Sequence, residues 1–372
     1  MTYVYEIVLE HAFTFLSAEY AALFRLSCAT AFQHPTWLDR LYGRLAPALG
    51  AEPLVITVRD RANGKLAMVL PLVRRRRGTM RVIEFADLRV SDYAAPVCDA
   101  TTFEAILRDK SACEALRKLI KPYDLLRIRK LGEAALPLER LFGTRPRSPL
   151  GMSAHAVKLY GPYAEWRNDS IDPSYRKELD KKQRQLSRKG DVRFEVVRDP
   201  KAIKAAFQAT RHYRESRFED DLLQKELYCE FYLETALQGT NSGFSRTYVL
   251  SVDGRPIAVV WGLAFRNQFL ILMGGFDLTS FKNQSIGALT FGEIARDCIE
   301  RGDVALDFTI GDESYKSLFG AKPSTMWMIS AAGSPLGSLV NIVASRMPGT
   351  LKLAKDIVNR KTSGSTALAG RT

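Results

Sequence analysis

Alternating apolar and polar runs divide the chain into two halves with the same order of elements. In the first half, residues 54–58, 66–73 and 81–85 are rich in apolar and β-branched side chains, which is typical of strands. In the second half, residues 246–252 and 257–265, separated by an Asp-Gly hairpin turn, repeat this pattern together with a third run from Phe269 to Met273. Each half predicts a strand, a hairpin, two further strands, a polar loop and a helix. This indicates an internal duplication.

The polar loop of the second half leads into an amphipathic helix. Its apolar residues recur at helical spacing over 288–301, and Gly302 stands where a glycine commonly ends a helix. A β-rich run over 305–310 follows and ends in Gly311. Strand ends that open into polar loops often carry functional residues in α/β folds. The segment 307–316 is therefore the first candidate for a reaction site.

Several side chains in this segment can move protons or bind ions. Asp307, Asp312 and Glu313 are candidate bases, Tyr315 is a candidate acid or oxyanion donor, and Lys316 is suited to binding a phosphate or carboxylate. Alternation along the strand places Asp307 on the opposite face from both of its neighbours. The alternative for Asp312 and Glu313 is a solvated turn, and the alternative for Lys316 is an ion pair with a neighbouring carboxylate.

The loop before the helix is the second candidate site. Residues 283–288 lie between a strand and a helix N-terminus, where backbone N–H groups can bind an anion. An ordinary loop with a helix cap is the alternative. The first half has Asp92 and Pro96 in place of a glycine-rich phosphate turn. We therefore expect only the second half to bind a pyrophosphate, and the first half to serve the acceptor.

The order of these segments resembles the CelD-like acetyltransferases, a branch of the GNAT superfamily related to the FemAB peptidyltransferases. The resemblance covers roughly residues 30–335 and is carried by short segments in a fixed order. These segments are Val90-Ser91-Asp92-Tyr93, Arg184-Gln185-Leu186-Ser187-Arg188-Lys189-Gly190, Gly287-Ala288-Leu289, Glu300-Arg301-Gly302, Leu306-Asp307-Phe308 and Gly311-Asp312-Glu313-Ser314-Tyr315-Lys316.

The resemblance implies a mixed α/β (α+β) fold of two tandem GNAT-like acyltransferase domains. Each domain is expected to be a mostly antiparallel mixed sheet flanked by helices. The expected boundaries are 1–155 for an N-terminal, acceptor-side domain and 156–335 for the acetyltransferase domain with the coenzyme A loop. Residues 336–372 are expected to form a basic helix and a flexible tail.

The resemblance also implies an activity. It is the transfer of an acetyl or other acyl group from acetyl-CoA or another acyl-CoA to an amine, in an amino sugar or polysaccharide precursor. The implied residues are Gln284, Ser285, Ile286, Gly287 and Ala288 for the cofactor, and Asp92, Tyr93, Arg217 and Lys316 for the substrate. Leu289 departs from the small residue usual at the end of the cofactor pattern. Two alternatives remain: a FemAB-like transferase using aminoacyl-tRNA, and a non-catalytic component of an exopolysaccharide or cellulose synthesis system.

Composition narrows the class of protein and of ligand. The 372 residues are 46% hydrophobic and 26% charged, which is typical of a globular chain with more than one domain. The net charge of +13 favours phosphate-bearing partners such as nucleotides, RNA or anionic lipids. A basic helix over Arg176–Lys189 is either a solvated face or a phosphate contact. No zinc pattern or basic zipper indicates a DNA-binding module.

Cysteine and hydropathy patterns favour a cytoplasmic protein without a metal. The five cysteines are widely spaced and form no CxxC pair, so we expect reduced thiols and no metal site. The early Glu6 and Glu10 are not typical of a secretory signal, and the longest apolar run, 257–265, is too short to span a bilayer. The basic amphipathic segment 336–361 either packs on the second domain or makes a peripheral membrane contact.

Overall fold

A computed structural model of the chain describes residues 4–144, 147–215, 217 and 220–346, with side chains up to residue 341. The strands in this part of the chain are β1 (Tyr5–Glu10), β2 (Glu52–Asp60), β3 (Leu66–Arg77), β4 (Met80–Phe85), β5 (Leu125–Leu131), β6 (Ser148–Lys158), β7 (Val192–Val197), β8 (Ser245–Val252), β9 (Arg255–Phe265), β10 (Gln268–Phe276), β11 (Ala305–Ile310) and β12 (Lys322–Ala332).

The α-helices are α1 (Ala18–Leu26), α2 (Pro35–Arg40), α3 (Ala46–Ala48), α4 (Ala100–Arg108), α5 (Lys110–Leu119), α6 (Leu138–Phe142), α7 (Tyr163–Ser170), α8 (Pro173–Ser187), α9 (Pro200–Arg214), α10 (Glu226–Ser242), α11 (Ile286–Glu300), α12 (Tyr315–Leu318) and α13 (Pro335–Arg346). Short 3₁₀ turns lie at Ala31–Gln33, Glu133–Ala135 and Leu222–Gln224, and a π-helical turn at Leu41–Leu45. Within the described residues no helix is both long and apolar enough to cross a bilayer.

The described strands form a single mixed sheet whose two ends have matching topology. The strand order is β1-β2-β3-β4-β5-β12-β6-β11-β10-β9-β8-β7. From each outer edge, four strands pair antiparallel, and the fourth then pairs parallel with the fifth: β4 with β5, and β10 with β11. This arrangement confirms the mixed α/β fold class and the duplication that the strand pattern predicts.

The central strands are exchanged between the halves. β6 follows the first half along the chain but pairs with β11 and β12, whereas β12 ends the second half but lies between β5 and β6. The expected domain boundary after residue 155 therefore falls inside β6. The division into 1–155, 156–335 and 336–372 stays a prediction, and each half contributes a strand to the centre of the sheet.

Three apolar clusters hold the sheet and helices together. One lies against α4, α5 and α6 in the first half, and a second lies against α7, α8, α11 and α12 in the second. The third, which we call the shared core, combines residues of both halves, including Trp37, Phe231 and Trp261. The rings of Trp37 and Phe231 meet edge to face with centroids 5.0 Å apart. The helices of the two halves are thus packed against each other on this face of the sheet.

Local sequence signals explain where the site helices begin and end. Pro173 starts α8, and the Asp172 carboxylate caps it by accepting from Ser174 N and Tyr175 N. At the end of α11, Gly302 has a φ of 80°, and the N–H of Asp303 donates to Cys298 O at 2.8 Å. This is a Schellman ending, as the glycine predicts.

The structure shifts several element boundaries. α11 begins at Ile286, so the expected cofactor loop is in part the first turn of this helix. α9 ends at Arg214, and Arg217 lies in the turn that follows this helix. α13 covers the start of the expected C-terminal basic helix, and residues 347–372 lie outside the described residues.

Candidate functional site

In the second half, the two parallel strands diverge from each other near the middle of the sheet. Among the described residues, β10 and β11 pair over Gln268–Leu270 and Ala305–Asp307. Beyond this level β10 has a bulge between Ile271 and Met273, and Thr309 of β11 has a φ of 57°. A bulge takes a residue out of the ladder and bends its strand. Among the described residues, a side-chain hydrogen bond crosses the opening, from Thr309 Oγ1 to Ile271 O at 3.2 Å.

Asp307 is the last paired residue before the strands diverge. Its neighbours Leu306 and Phe308 belong to the second-half core, while Asp307 lines a cavity on the other face of the sheet, as alternation predicts. The side chain is only 8% exposed. It accepts from Thr309 N at 2.7 Å and from the Tyr93 hydroxyl, which lies 2.9 Å from each carboxylate oxygen.

These surroundings change the proton affinity of Asp307. Burial raises the pKa of Asp307 to about 6, and the nearby Asp92 acts in the same direction. The Thr309 N–H, the Tyr93 hydroxyl and Lys316 lower it and offset part of the effect. A carboxylate with a pKa near neutrality is well suited to accept a proton during a reaction.

Asp92 and Tyr93 reach Asp307 from the first half. Their loop follows β4 and is fixed by a bond from Trp37 Nε1 to Ser91 Oγ at 3.0 Å and by Lys130, whose ammonium donates to Ser91 O. Burial raises the pKa of Asp92, and Lys130 partly offsets this. The structure thus brings the candidate residues Asp92, Tyr93 and Asp307 together from distant parts of the chain. Sequence reasoning missed Lys130, because a lysine in a strand carries no distinguishing signal.

A cavity of about 440 Å³ lies where the halves meet, with Asp307 in one wall. The first-half loop, α4, the exchanged strands β6 and β12, and β11 contribute to its lining. Most of the lining side chains are small or apolar, and Tyr93, Asp307, His155 and Glu104 are exceptions. Cavities of this size, with a few convergent polar groups in an apolar lining, are typical of small-molecule sites.

His155 is a site residue that the sequence did not reveal. It lies in β6, is 8% exposed, and its Nε2 is 2.9 Å from Asp312 Oδ1. Its Nδ1 is buried without a hydrogen-bond partner among the described residues. The bond to His155 is the main cause of a lowered pKa at Asp312. Asp312, itself exposed, therefore holds this imidazole rather than facing the cavity.

On the opposite face, the N-terminus of α11 has the properties of an anion site. Ser285, the residue before the helix, has a φ of 51°, and its side chain makes no capping bond. The first N–H groups of the helix consequently lack a side-chain acceptor. Gln284, Gly287 and Ala288 are partly accessible beside them, whereas Ile286 is buried. These features fit a pyrophosphate, which would accept hydrogen bonds from the backbone and interact favourably with the helix dipole.

The basic helix α8 packs beside this loop. Lys182 Nζ donates to Asn283 O at 2.6 Å, directly before the α11 N-terminus. Leu179 and Leu186 bury the apolar stripe of α8 in the second-half core, while Lys181 and Arg184 are exposed. The charged run is therefore an outer face of the fold that also borders the candidate anion site.

The remaining candidates of the segment 307–316 differ in their surroundings. Tyr315 stacks on Phe291 of α11 with ring centroids 5.3 Å apart, and burial raises the pKa of Tyr315 to about 12. Lys316 is 2% exposed; its ammonium donates to Gly311 O at 2.9 Å and lies 2.8 Å from Glu313 Oε2. Lys316 thus stabilises the turn after β11, and Glu313 is exposed at its outer side.

Arg217 stands apart from these groups. It is exposed in the turn after α9, and its N–H donates to Arg214 O at 3.1 Å. Arg217 is not among the described residues that line the cavity.

Comparison with known proteins agrees with this geometry. Residues 173–317 match the family model described as an acetyltransferase (GNAT) domain. The match includes the basic helix, the α11 N-terminus and Asp307. A search of curated proteins found no match.

Solved structures extend the likeness over most of the chain. FemX superposes with a TM-score of 0.61 at 12% identity, covering 90% of this chain and 99% of that one. The chain has a GNAT-like, Fem-related fold. The C-terminal domain of a putative lysylphosphatidylglycerol synthetase from Agrobacterium fabrum has a TM-score of 0.53 at 13% identity, covering 88% and 95% of the two chains. L-PGS from Bacillus licheniformis has a TM-score of 0.53 at 13% identity, covering 88% and 94%.

The GNAT domain supports an acyltransferase as the general class of the protein. The opening between β10 and β11 lies within residues 173–317, which match the GNAT domain, and so does the N-terminus of α11. Among the described residues there is no cluster of His, Cys, Asp and Glu that could hold a metal ion.

Proposed function

We propose that this chain is an N-acyltransferase that moves an acetyl or other acyl group from acyl-CoA to an amine. The observation that carries the proposal is the position of Asp307. Its buried carboxylate lies where β10 and β11 stop pairing, and it faces a cavity on the side of the sheet away from α11. A donor bound at α11 and an acceptor in the cavity can meet through this opening.

The donor side is assigned to residues of α11 and the preceding turn. Gln284, Ser285, Ile286, Gly287 and Ala288 would hold the pyrophosphate of acyl-CoA through backbone N–H groups. Acyl-CoA carries an activated thioester, so the protein needs to align it, remove a proton from the amine and stabilise the oxyanion.

The acceptor side is assigned to the cavity. The Asp307 carboxylate takes the proton of the attacking amine, as the new C–N bond forms and the C–S bond breaks. The leaving thiolate takes a proton from Tyr315, which lies beside α11 in the same domain. Tyr93 positions Asp307, and Tyr93 and Asp92 both affect its pKa. Asp312 orients His155. Lys316 and Glu313 together stabilise the turn after β11.

The identity of the acceptor comes from the resemblance alone. It implies an amino sugar or polysaccharide precursor, with Arg217 at an anionic group of the substrate. Arg217 does not line the cavity, so its proposed role is to bind the outer part of an acceptor.

Calorimetric titration of coenzyme A and acetyl-CoA, combined with a thiol-release assay on a panel of amines, tests the proposal. We expect saturable binding of both, and amine-dependent thiol release. Binding without any release would favour a non-catalytic role, and absence of binding in the folded protein would reject the acyl-CoA donor.

A second candidate keeps the fold but uses aminoacyl-tRNA as donor. The exposed basic residues of α8, beside the donor loop, favour it because clustered charge attracts a phosphate backbone. Replacing Lys181 and Arg184 with Gln should then weaken tRNA binding and reduce its salt dependence. If acetyl-CoA affinity alone falls, or if neither ligand is affected, the tRNA candidate is rejected.

A further inference from the structure

The cavity between the halves differs in charge from the rest of the molecule. The chain carries a net charge of +13, yet among the described residues no Lys or Arg contributes to the cavity lining. Lys322, opposite Ala156 on β12, is exposed and is not part of this lining. The ionisable groups present are Asp307, Glu104, Tyr93, His155 and the thiols of Cys28 and Cys98. The interior of the cavity thus lacks the cationic side chains that usually bind phosphate or carboxylate groups.

The polar end of the cavity offers hydrogen-bond acceptors. The carboxylate of Asp307 is an acceptor when ionised. Ala156 pairs with Asp307, so the neighbouring His155 projects to the opposite face of the sheet, where its Nε2 lies beside the Asp312 carboxylate. Asp307 is therefore the acceptor at this end of the cavity, and a charged donor forms the stronger hydrogen bond to a carboxylate. A group with several N–H donors and a positive charge matches this end.

Apart from Glu104 and the hydroxyl groups of Thr30 and Ser324, the rest of the lining is mainly apolar. Ala95, Pro96, Phe103 and Met326 form part of the wall. Hydroxyl groups placed against such atoms would lose their hydrogen bonds to water without replacement, which is unfavourable. A sugar ring or a nucleotide diphosphate is therefore poorly matched to the interior.

We propose that the cavity binds the acceptor as a primary amine carried on a compact, uncharged, apolar body, with the amine at Asp307. This inference rests on the proposed N-acyltransferase function and replaces the amino-sugar acceptor, which the resemblance alone implies. The volume of about 440 Å³ accommodates an aliphatic or aromatic amine of small-molecule size. The apolar body lies against the alanines and Phe103, and the carboxylate holds the ammonium. The ammonium loses its first proton to solvent, and the carboxylate accepts the second as the C–N bond forms.

Binding can be measured by calorimetry without any acyl donor. The probe is phenethylamine, compared with 2-phenylethanol, which has the same shape without the charge, and with glucosamine, which has the amine on a polar ring. We expect phenethylamine to bind about 10-fold or more tightly than either, because a hydrogen bond to a charged group and the burial of a phenyl ring both contribute. Asp307→Asn should abolish the preference over 2-phenylethanol while leaving the affinity for that alcohol unchanged.

Ala156→Leu is the steric test. Ala156 pairs directly with Asp307 across β6 and β11, so the two side chains project on the same face. The larger side chain should fill the cavity and weaken phenethylamine binding about 10-fold or more. Ala105→Leu, an equal change at an exposed position of α4, is the control and should leave the affinity unchanged.

Three results would overturn the inference: equal binding of 2-phenylethanol and phenethylamine, tighter binding of glucosamine, or no effect of Ala156→Leu. Displacement of phenethylamine by the acyl chain of octanoyl-CoA, but not by acetyl-CoA, would assign the cavity to the donor instead. Coenzyme A titration of the same samples separates the two hypotheses. Intact coenzyme A binding without amine binding rejects only the acceptor class, whereas loss of coenzyme A binding alone rejects the donor assignment.

Discussion

A carboxylate works as a base only when ionised, and at the residue scale the neighbours of Asp307 decide when that happens. Its pKa is about 6, mainly because of burial, with Asp92 raising it and Thr309, Tyr93 and Lys316 lowering it. We expect kcat/KM to fall as pH falls through about 6, since the protonated acid cannot accept the proton of the amine. A pH–rate profile of the thiol-release assay measures this. A profile flat between about pH 5 and 7 would contradict the role of Asp307 as the base.

Replacing Asp307 should separate activity from stability. Asp307→Asn is expected to lower turnover ~100- to 10,000-fold, the usual contribution of a positioned base. Because the folded-state pKa is raised, the folded protein binds this proton more tightly than the unfolded chain. The contribution of Asp307 to stability is therefore favourable at low pH and is lost as pH rises through about 6. The melting temperature of Asp307→Asn should therefore rise relative to that of wild type between about pH 4 and about pH 8.

Asp312→Asn is the matched control for that pH dependence. The pKa of Asp312 is lowered, chiefly by its bond to His155, so its contribution to stability is present at neutral pH and is lost in acid. Relative to wild type, the melting temperatures of the two variants should therefore change in opposite directions with pH. A change in the same direction in both variants would contradict the raised pKa of Asp307.

Tyr93 is a positioning residue whose effect should appear in the pH profile. Its hydroxyl donates to both oxygens of Asp307 and lowers the pKa of that carboxyl. In Tyr93→Phe the pKa of Asp307 should rise, and the acid limb of the kcat/KM profile should move to higher pH. A merely structural role would lower the whole profile without moving it, which distinguishes the two explanations.

At the scale of elements, the N-terminus of α11 is the part that the donor requires. A methyl group added at Gly287 would lie 3.3 Å from Phe276 Cε1, so a larger side chain must displace that ring or project toward the N–H groups. We expect Gly287→Val to weaken coenzyme A binding about 10-fold or more while the fold is retained. Gly43→Val is the control, because Gly43 is exposed and has open space around its Cβ position. Unchanged affinity in Gly287→Val would remove this turn from the donor site.

At the scale of the whole molecule, the strand exchange couples the stability of the halves. Ile329 of β12 is 1% exposed and packs in the first-half core, although it follows the second half along the chain. Ile329→Ala should lower the free energy of unfolding by about 2–5 kcal/mol through the cavity that it leaves. Hydrogen exchange should show the same loss of protection in β3 and β9, since the shared core joins the halves.

Leu336→Ala, at an exposed position after β12, is the control and should change little. Loss of protection confined to β3, with β9 unaffected, would show that the halves unfold independently despite the exchanged strands.

The sequence by itself determined the local elements and the order in which they repeat. Strand and helix periodicity, the hairpin at Asp253-Gly254 and the glycine that ends α11 act over a few residues, so they can be predicted without a fold. Alternation around Asp307 likewise predicted which face of β11 it occupies, because side chains in a strand alternate by geometry.

Only the tertiary structure decided which distant residues meet. The central strands β6 and β12 left no signal of their exchange, because pairing depends on contacts between segments far apart in sequence. The same holds for Tyr93 and Asp307, which are separated by 214 positions and joined by a hydrogen bond. His155 and the charge of the cavity lining were hidden for this reason too. The identity of a residue is local, but its burial and its neighbours, which set its pKa and its ligand, are properties of the packed molecule.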